Sequence, residues 1–289
     1  DDALFFGGLA PSVTGNTFGY NGTSWTAKPS MATGRNAIGG AGTTTAAVAM
    51  GGNSPGSDNL TEEFTSSTNA ITGAAWSSSG ALPTGTSFLG DAGTQTAALG
   101  FGGTTGSTVS SSYEYDGSNW TATPSLNTAR TQLSGAGIST AALAFGSPNT
   151  TESWNGSSWT SVNSMNTARK GTAGSGTQPA ALVFGGQLDS SPFASLDATE
   201  EWDGTNWTAG GALSQSRLGL AGFGTQTASL AAAGYAYPSP GTQSIVESYN
   251  GSSWTSAPSL ANARRNRPGG AGTTTAALVF GGIIDPGES

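Results

Sequence analysis

Acidic and basic side chains that could do chemistry recur at regular places along this 289-residue chain. The recurring acids and bases are Glu62, Glu114, Glu152, Glu200 and Glu247, and Arg35, Arg130, Arg169, Arg217 and Arg264. Two carboxylates cleave a glycosidic bond only when both flank it at close range. Acids that recur once per repeat are spread through the molecule, so we predict that they pair with the arginines in a structural role. We accordingly predict no catalytic residues and a protein that is not an enzyme.

The residue types that are missing narrow the chemistry further. The chain has no Cys and no His, so it cannot form a thiolate nucleophile, a disulfide, a Ser-His-Asp triad or the usual zinc and copper sites. We therefore predict no metal and no cofactor. Nine Lys and Arg against 17 Asp and Glu give a net charge of -8, which argues against nucleic acid as a partner. The one basic run, Arg264-Arg265-Asn266-Arg267, is predicted to be a solvated loop.

Tryptophan marks an internal repeat that must position these residues. Six tryptophans follow similar polar segments with an average period of about 46 residues, and they are Trp25, Trp76, Trp120, Trp159, Trp207 and Trp254. A period in this range is typical of β-propeller blades or of helical repeats. The units are rich in Gly, Ser and Thr and lack apolar residues at helical spacing, which excludes the helical alternative.

Each unit reads as four short strands, named A to D. A strand A rich in Gly and Ala, as at 133–137, is followed by a polar turn and by an apolar strand B that ends in glycine, as at 180–186. Strand C is acidic and aromatic, as at 199–202, and an Asn-Gly or Asp-Gly turn leads to strand D, which begins at the tryptophan. Six such units predict an all-β fold, a six-bladed β-propeller of four-stranded antiparallel blades. We predict one domain over 1–289 and expect it to be part of a longer chain.

The unit resembles the kelch repeat. The matching features are the double glycine after strand B, the aromatic residue of strand C, the tryptophan of strand D and the arginine before strand A, which in one unit are Gly185-Gly186, Trp202, Trp207 and Arg217. The resemblance covers nearly the whole chain, although no arginine stands at 83–87. The phrases Asn-Gly-Ser-Ser-Trp-Thr and Asn-Thr-Ala-Arg also look like low-charge propeller repeats in structural proteins of tailed phages, particularly marine ones. This likeness implies a virion fibre, tail or capsid-surface module for assembly or host attachment.

Two functions stay open at this point. The first is a structural and binding propeller of a virion, whose partners are other virion or surface proteins and a host protein or glycan. The second is a secreted kelch-type module of a cell that binds a protein or a glycan. Both imply a virion or extracellular location, and the lack of any run of 18 apolar residues predicts no membrane span. A sialidase would have one residue between Asp and Gly in its Asp-box turn, and Asp116-Gly117 has none.

The B–C loops are the predicted binding surface. They vary in length and chemistry, whereas the A–B and C–D hairpins of the opposite face are uniform, and variable loops on a rigid scaffold usually carry specificity. The candidate binding residues are Phe193, Tyr235 and Tyr237. The tryptophans could stack on sugars, but their regular recurrence favours a place in the core.

The chain ends predict how the ring closes. The strand-B phrase occurs seven times, whereas strands C and D occur six times. A closed ring of six blades has room for only one of the first and last copies. We predict that residues 264–282 supply strands A and B to the blade whose strands C and D lie at 18–20 and 25–28. The extra copy at 4–6 would then lead in from a preceding segment.

Overall fold

Strands account for all regular secondary structure that we observe. A computed structural model of the chain describes residues 12–54, 56, 58–66, 74–189, 194–238 and 241–284. Six four-stranded antiparallel sheets stand around a common axis, and the innermost strand of each sheet lies beside the innermost strands of both neighbouring sheets. The fold is the predicted six-bladed β-propeller.

The strands of each blade run from A at the axis to D at the rim. In blades 1 to 3, strands A to D are Gly39–Gly42, Ala46–Met50, Thr61–Thr65 and Ala75–Ser78; Gly90–Thr94, Ala97–Phe101, Ser112–Tyr115 and Trp120–Thr123; and Ser134–Ile138, Ala141–Phe145, Thr151–Trp154 and Trp159–Val162. In blades 4 to 6 they are Ala173–Thr177, Ala180–Phe184, Thr199–Trp202 and Trp207–Ala209; Ala221–Thr225, Ala228–Ala232, Val246–Tyr249 and Trp254–Ala257; and Gly269–Gly272, Ala277–Phe280, Thr17–Tyr20 and Trp25–Lys28. Three short pairs flank the blades: Ser12–Val13 with Ile283–Ile284, Arg169–Lys170 with Gln187–Leu188, and Tyr235–Ala236 with Gly241–Thr242.

Apolar side chains of strand B fill the space between neighbouring blades. The ring of Phe184 in blade 4 meets Trp254 of blade 5 edge-on, with the ring centroids 4.8 Å apart. The same ring reaches strand A of blade 5, where a Cβ on Gly222 would lie 2.7 Å from it. Strand A is rich in Gly and Ala because the blades crowd together near the axis. One phenylalanine therefore packs against both the inner and the outer strand of the next blade.

Blade 6 is built from both ends of the chain. Its strands A and B lie within 269–280, and its strands C and D lie within 17–28. Strand C pairs antiparallel with strand B, with Thr17 opposite Phe280. This is the closure that the repeat count predicts. The extra strand-B copy at 4–6 lies outside the described residues.

A closed circle of backbone hydrogen bonds surrounds the axis on the face that carries the B–C loops. It runs through the segments that connect strand D of one blade to strand A of the next, and we name it the axial girdle. Its members are Ala37, Phe88, Gln132, Gly171, Gly219 and the pair Asn266–Arg267. In each blade, the N–H of the girdle residue donates to the carbonyl of the girdle residue in the preceding blade at 2.8–3.0 Å. The circle is completed by the Ala37 N–H, which donates to the Asn266 carbonyl. All members have φ between 53° and 64°. The main chain alone thus fixes the rim of the central channel.

The double glycine after strand B adds a second contact between neighbouring blades. The Gly186 N–H donates to the Arg217 carbonyl of the next blade at 2.8 Å. A Cβ on Gly185, which has a φ of 63°, would lie 2.6 Å from the same carbonyl oxygen. Glycine at this place therefore lets the main chains of two blades approach each other.

Candidate functional site

Four of the recurring arginines form buried ion pairs with a glutamate of the same blade. The pairs are Arg35–Glu62 and Arg130–Glu152 at 2.9 Å, Arg169–Glu200 at 3.0 Å, and Arg217–Glu247. All eight side chains are at most 3% exposed. One pair lies in each of four blades, so the carboxylates are distributed around the ring and do not share a site.

The arginine of each pair also connects separate backbone segments. In blade 3, Nη1 of Arg130 donates to the carbonyls of Gly146 and Thr150, at the end of strand B and before strand C. Nη2 donates to Oε1 of Glu152, and Oε2 of Glu152 accepts the Asn127 N–H at 2.7 Å. Burial lowers the pKa of Arg130, and the charge of Glu152 opposes that shift. The arrangement is a buried hydrogen-bond network that holds the segments of one blade together.

Glu114 and Arg264 depart from this series. Tyr113 occupies the glutamate position of blade 2, so Glu114 is one residue further along strand C and its side chain points to the other face of the sheet. In blade 6 that position is Phe18, and the guanidinium carbon of Arg264 lies 4.9 Å from the centroid of its ring. Nε and Nη2 of Arg264 have no hydrogen-bond partner among the described atoms, and burial lowers its pKa to about 10. The expectation that all five acids pair with arginine therefore does not hold for Glu114.

The six strand-D tryptophans lie between blades, with their indole N–H groups hydrogen-bonded. Five of them donate to a hydroxyl at the start of strand C in the preceding blade: Trp76 to Thr17, Trp120 to Thr61, Trp159 to Ser112, Trp207 to Thr151 and Trp254 to Thr199. Trp25 donates to the Pro258 carbonyl instead, because blade 5 has Val246 at the hydroxyl position. These contacts place the tryptophans in the framework of the ring.

A cavity of about 210 Å³ opens at the axis on the B–C-loop face. We name it the axial mouth. Polar, charged and aromatic side chains lining it are Phe88, Gln132, Lys170, Gln187, Tyr235, Arg265, Asn266 and Arg267. Several of these residues belong to the axial girdle, so the main chain of the girdle positions their side chains around one small space.

Contacts within the axial mouth order its charged groups. Lys170 Nζ lies 2.9 Å from Oδ1 of the exposed Asp189. The Arg265 guanidinium carbon lies 5.5 Å from the centroid of the Tyr235 ring, within the range of a cation–π contact. Such a contact holds the guanidinium plane against an aromatic surface beside the cavity.

Arg267 and Asp91 occupy the channel that continues below the mouth. Nη2 of Arg267 donates to the Leu133 carbonyl at 2.7 Å, and Nη1 has no hydrogen-bond partner among the described atoms. Asp91 occupies the second place of strand A, where the other five blades have glycine. Burial raises the pKa of Asp91 to about 6, while the charge of Arg267 and the Gly40 N–H act against the rise. Burial also lowers the pKa of Arg267 to about 10.

The predicted binding residues are only partly brought together. Tyr235 lines the axial mouth, and Tyr237 is 50% exposed on the same face. Phe193 lies outside the described residues. The basic run is not the solvated loop that the sequence led us to expect. Both Arg264 and Arg267 are buried, and the Arg267 side chain reaches from blade 6 to the Leu133 carbonyl of blade 3.

Sequence reasoning missed most of the axial mouth. Lys170, Phe88 and Gln132 follow no repeated motif, since the residue type at these positions varies around the ring. Asp91 carried a usable signal, because aligning the six strand-A segments shows a single acid among glycines. A systematic comparison of the repeats for such departures would have pointed to the axis.

No family model and no curated protein sequence matches this chain. Among solved structures, the chain is similar to one described as the structure of YjhT, with a TM-score of 0.73 and 12% sequence identity. The match covers 90% of this chain and 94% of that one. At this identity the likeness bears on the fold alone, and it agrees with the propeller described above.

Two features are absent from the part of the chain that the structure describes. Within residues 12–284, apart from the gaps given above, no three His, Cys, Asp or Glu side chains are grouped so that they could hold a metal ion. The same residues include no helix with the length and apolar character needed to cross a membrane.

Proposed function

We propose that this protein is a non-catalytic binding propeller that presents a ligand site at the axial mouth. The observation that carries the proposal is how its charges are distributed. Four glutamates and four arginines of the repeat form buried ion pairs with each other around the ring. Cationic and aromatic side chains that do not follow the repeat lie together at one end of the axis. Such a combination of a rigid scaffold and one varied cavity is suited to recognition.

We further propose that the binding serves a virion, in assembly or host attachment. The kelch-like repeat and its likeness to low-charge repeats of phage structural proteins support this role. A secreted kelch-type module of a cell is the alternative, with a protein or glycan as its ligand. Antibodies raised against the chain should label purified phage particles if the virion role is correct. Labelling confined to culture supernatant or cell envelopes would favour the secreted module.

The binding face is tested by two matched truncations of exposed apolar side chains. Tyr237 is 50% exposed on the B–C-loop face, and Ile138 is 52% exposed at an A–B hairpin on the opposite face. We expect Tyr237→Ala, alone and with Tyr235→Ala, to weaken attachment of the labelled protein to host cells or to an arrayed glycan. Ile138→Ala should leave attachment unchanged. The reverse pattern would show that the opposite face binds.

A further inference from the structure

The nine Lys and Arg residues of this chain are divided unevenly between the framework and the axial mouth. Five are the buried arginines of the repeat, and Lys28 is exposed on the outer strand of blade 6. The remaining three, Lys170, Arg265 and Arg267, all line the axial mouth. In a chain with a net charge of -8, every cation outside the repeat except one is therefore gathered at a single cavity.

Arg267 supplies an independent sign that this cavity accepts a ligand. Its side chain is 8% exposed, and Nη1 has no hydrogen-bond partner among the described atoms. Leaving a buried, charged donor without a hydrogen-bond partner is energetically unfavourable. The residue lines both the axial mouth and a narrower space of about 50 Å³ below it. The Arg267 residue therefore lies between the two spaces.

The backbone fixes Arg267 in this position. Its N–H donates to the Gly219 carbonyl at 2.9 Å as part of the axial girdle, and Nη2 donates to the Leu133 carbonyl. Arg265, two residues earlier, lies against the Tyr235 ring. A guanidinium whose orientation is fixed before binding loses little conformational entropy when it contacts an anion.

We propose that the axial mouth binds an oxyanion group, a carboxylate or a sulfate or phosphate ester, at the end of a larger ligand. The inference rests on the proposed binding function and names the chemistry that the site recognises. Nη1 of Arg267 contacts the anion, while Lys170 and Arg265 supply further charge from the rim. A cavity of about 210 Å³ is smaller than the ~300–1,000 Å³ of sites that enclose a drug-sized molecule, so only one end of the ligand enters.

Acidic side chains near the cavity limit how the anion sits. Asp189 pairs with Lys170 from the exposed side, and Asp91 faces the channel below Arg267. Both carboxylates repel an anion, so the oxyanion binds away from each of them, at the level of Arg267 and Arg265. The phenyl and phenol rings of Phe88 and Tyr235 remain as apolar surfaces for the part of the ligand next to the anion.

The test is titration of the full chain with acetate, sulfate and inorganic phosphate at ionic strength held constant with chloride. We expect at least one of these anions to raise Tm in a saturable way, because a ligand that binds only the folded state stabilises it. Arg265→Gln and Lys170→Gln should each weaken the apparent affinity about tenfold. Lys28→Gln, which removes the same charge from the rim of blade 6, should leave the affinity unchanged.

The arms of the experiment separate the possible outcomes. Saturation by acetate assigns a carboxylate ligand, and saturation by sulfate or phosphate alone assigns an ester. Equal shifts in the wild type, Arg265→Gln and Lys28→Gln proteins, or no saturation by any anion, would overturn the site. Arg267→Lys is a further variant, and if it does not fold, Arg265→Gln and Lys170→Gln decide the question.

A competition assay keeps this inference distinct from the proposed function. If oxyanions bind but the labelled protein attaches to no cell surface, particle component or glycan, the anion site stands and the binding function fails. If attachment is lost with Tyr237→Ala yet is indifferent to oxyanions and to Arg265→Gln, the binding function stands and the anion site fails. Attachment that oxyanions inhibit supports both.

Discussion

The buried pair of Arg130 and Glu152 shows how strongly a single residue can affect the stability of a blade. Both side chains are at most 1% exposed, and each also bonds to main-chain groups. Glu152→Gln would leave the Arg130 charge buried without its counter-charge. The amide oxygen could accept from only one of the two donors, Arg130 Nη2 and the Asn127 N–H, because the amide nitrogen can only donate. We expect a loss of about 3–5 kcal/mol in the free energy of unfolding, measured by urea denaturation.

Glu114→Gln is the matched control for this prediction. Glu114 belongs to the same repeat phrase but has no arginine partner and is half-buried in strand C of blade 2. A change within about 0.5 kcal/mol is expected there. Equal losses for the two variants would contradict the structural role given to the ion pair.

Asp91 makes stability depend on pH in the opposite direction from an ordinary paired acid. Its pKa is about 6 in the folded protein against 3.8 for the free side chain, so the folded state binds its proton more tightly than the unfolded state. The cost of the buried charge is absent below pH about 4 and complete above about 6. Asp91→Asn should therefore stabilise the protein at pH 7–8 by about 3 kcal/mol.

The test of this prediction is the difference in unfolding free energy between Asp91→Asn and wild type as a function of pH. Measuring the difference removes the contributions of the other carboxylates. The stabilising effect of the substitution should vanish as pH falls from 6 to 4. A difference that does not vary with pH would mean that Asp91 is ionised in the folded state without penalty.

A shift of one residue along strand C explains why the pairing of the acids was harder to predict than the number of blades. Side chains alternate between the two faces of a strand, so Tyr113 and Glu114 face opposite ways although both belong to one acidic-aromatic phrase. The phrase alone does not tell which of the two replaces Glu152 of the next blade. The aromatic signals are local and repeated in all six units, and the glycine and turn signals recur in most of them, which made the strands and the blade count predictable.

At the scale of elements, the axial girdle is the feature that no local signal predicted. It joins main-chain groups from segments about 40–50 residues apart, and the residues there have no side-chain type in common. Two members, Gly171 and Gln132, offer a reciprocal test because they adopt the same left-handed conformation at φ of 63° and 59°. A Cβ on Gly171 would meet no atom closer than 3.6 Å, so an alanine there adds strain of the main chain alone.

Gly171→Ala should destabilise the protein by about 1 kcal/mol, and Gln132→Gly should stabilise it by a similar amount. The physical reason is the same for both, since residues other than glycine pay a steric cost in this region. Thermal and urea unfolding of the two variants measure the effect. Shifts in the same direction would show that strain in the girdle does not govern stability.

At the scale of the whole molecule, the closure of blade 6 determines whether the ring forms. Strand B of this blade, Ala277–Phe280, lies between strand A and the N-terminal strand C. A chain that ends at 268 would lack strands A and B and would expose the edge of Thr17–Tyr20, and unpaired edges favour association. We expect this truncation to be unfolded or aggregated by circular dichroism and size-exclusion chromatography.

A chain that ends at 282 is the control. Within the described residues, it removes the short pairing of Ile283–Ile284 with Ser12–Val13 and the contacts of Ile283 with Arg265. This variant should fold and unfold at a moderately lower temperature than the parent chain. A folded, monomeric protein ending at 268 would show that strands from the two ends are not needed to hold the ring.

The axial girdle leaves its six positions free to differ between one propeller and another. Because main-chain groups alone make the circle, its present members include an alanine, a phenylalanine, a glutamine, two glycines and an arginine. Substitutions there change what the mouth presents to a ligand without removing any hydrogen bond of the ring. Divergence in specificity is thereby separated from divergence in fold, and proteins sharing this ring need share none of the side chains with which they recognise their ligands.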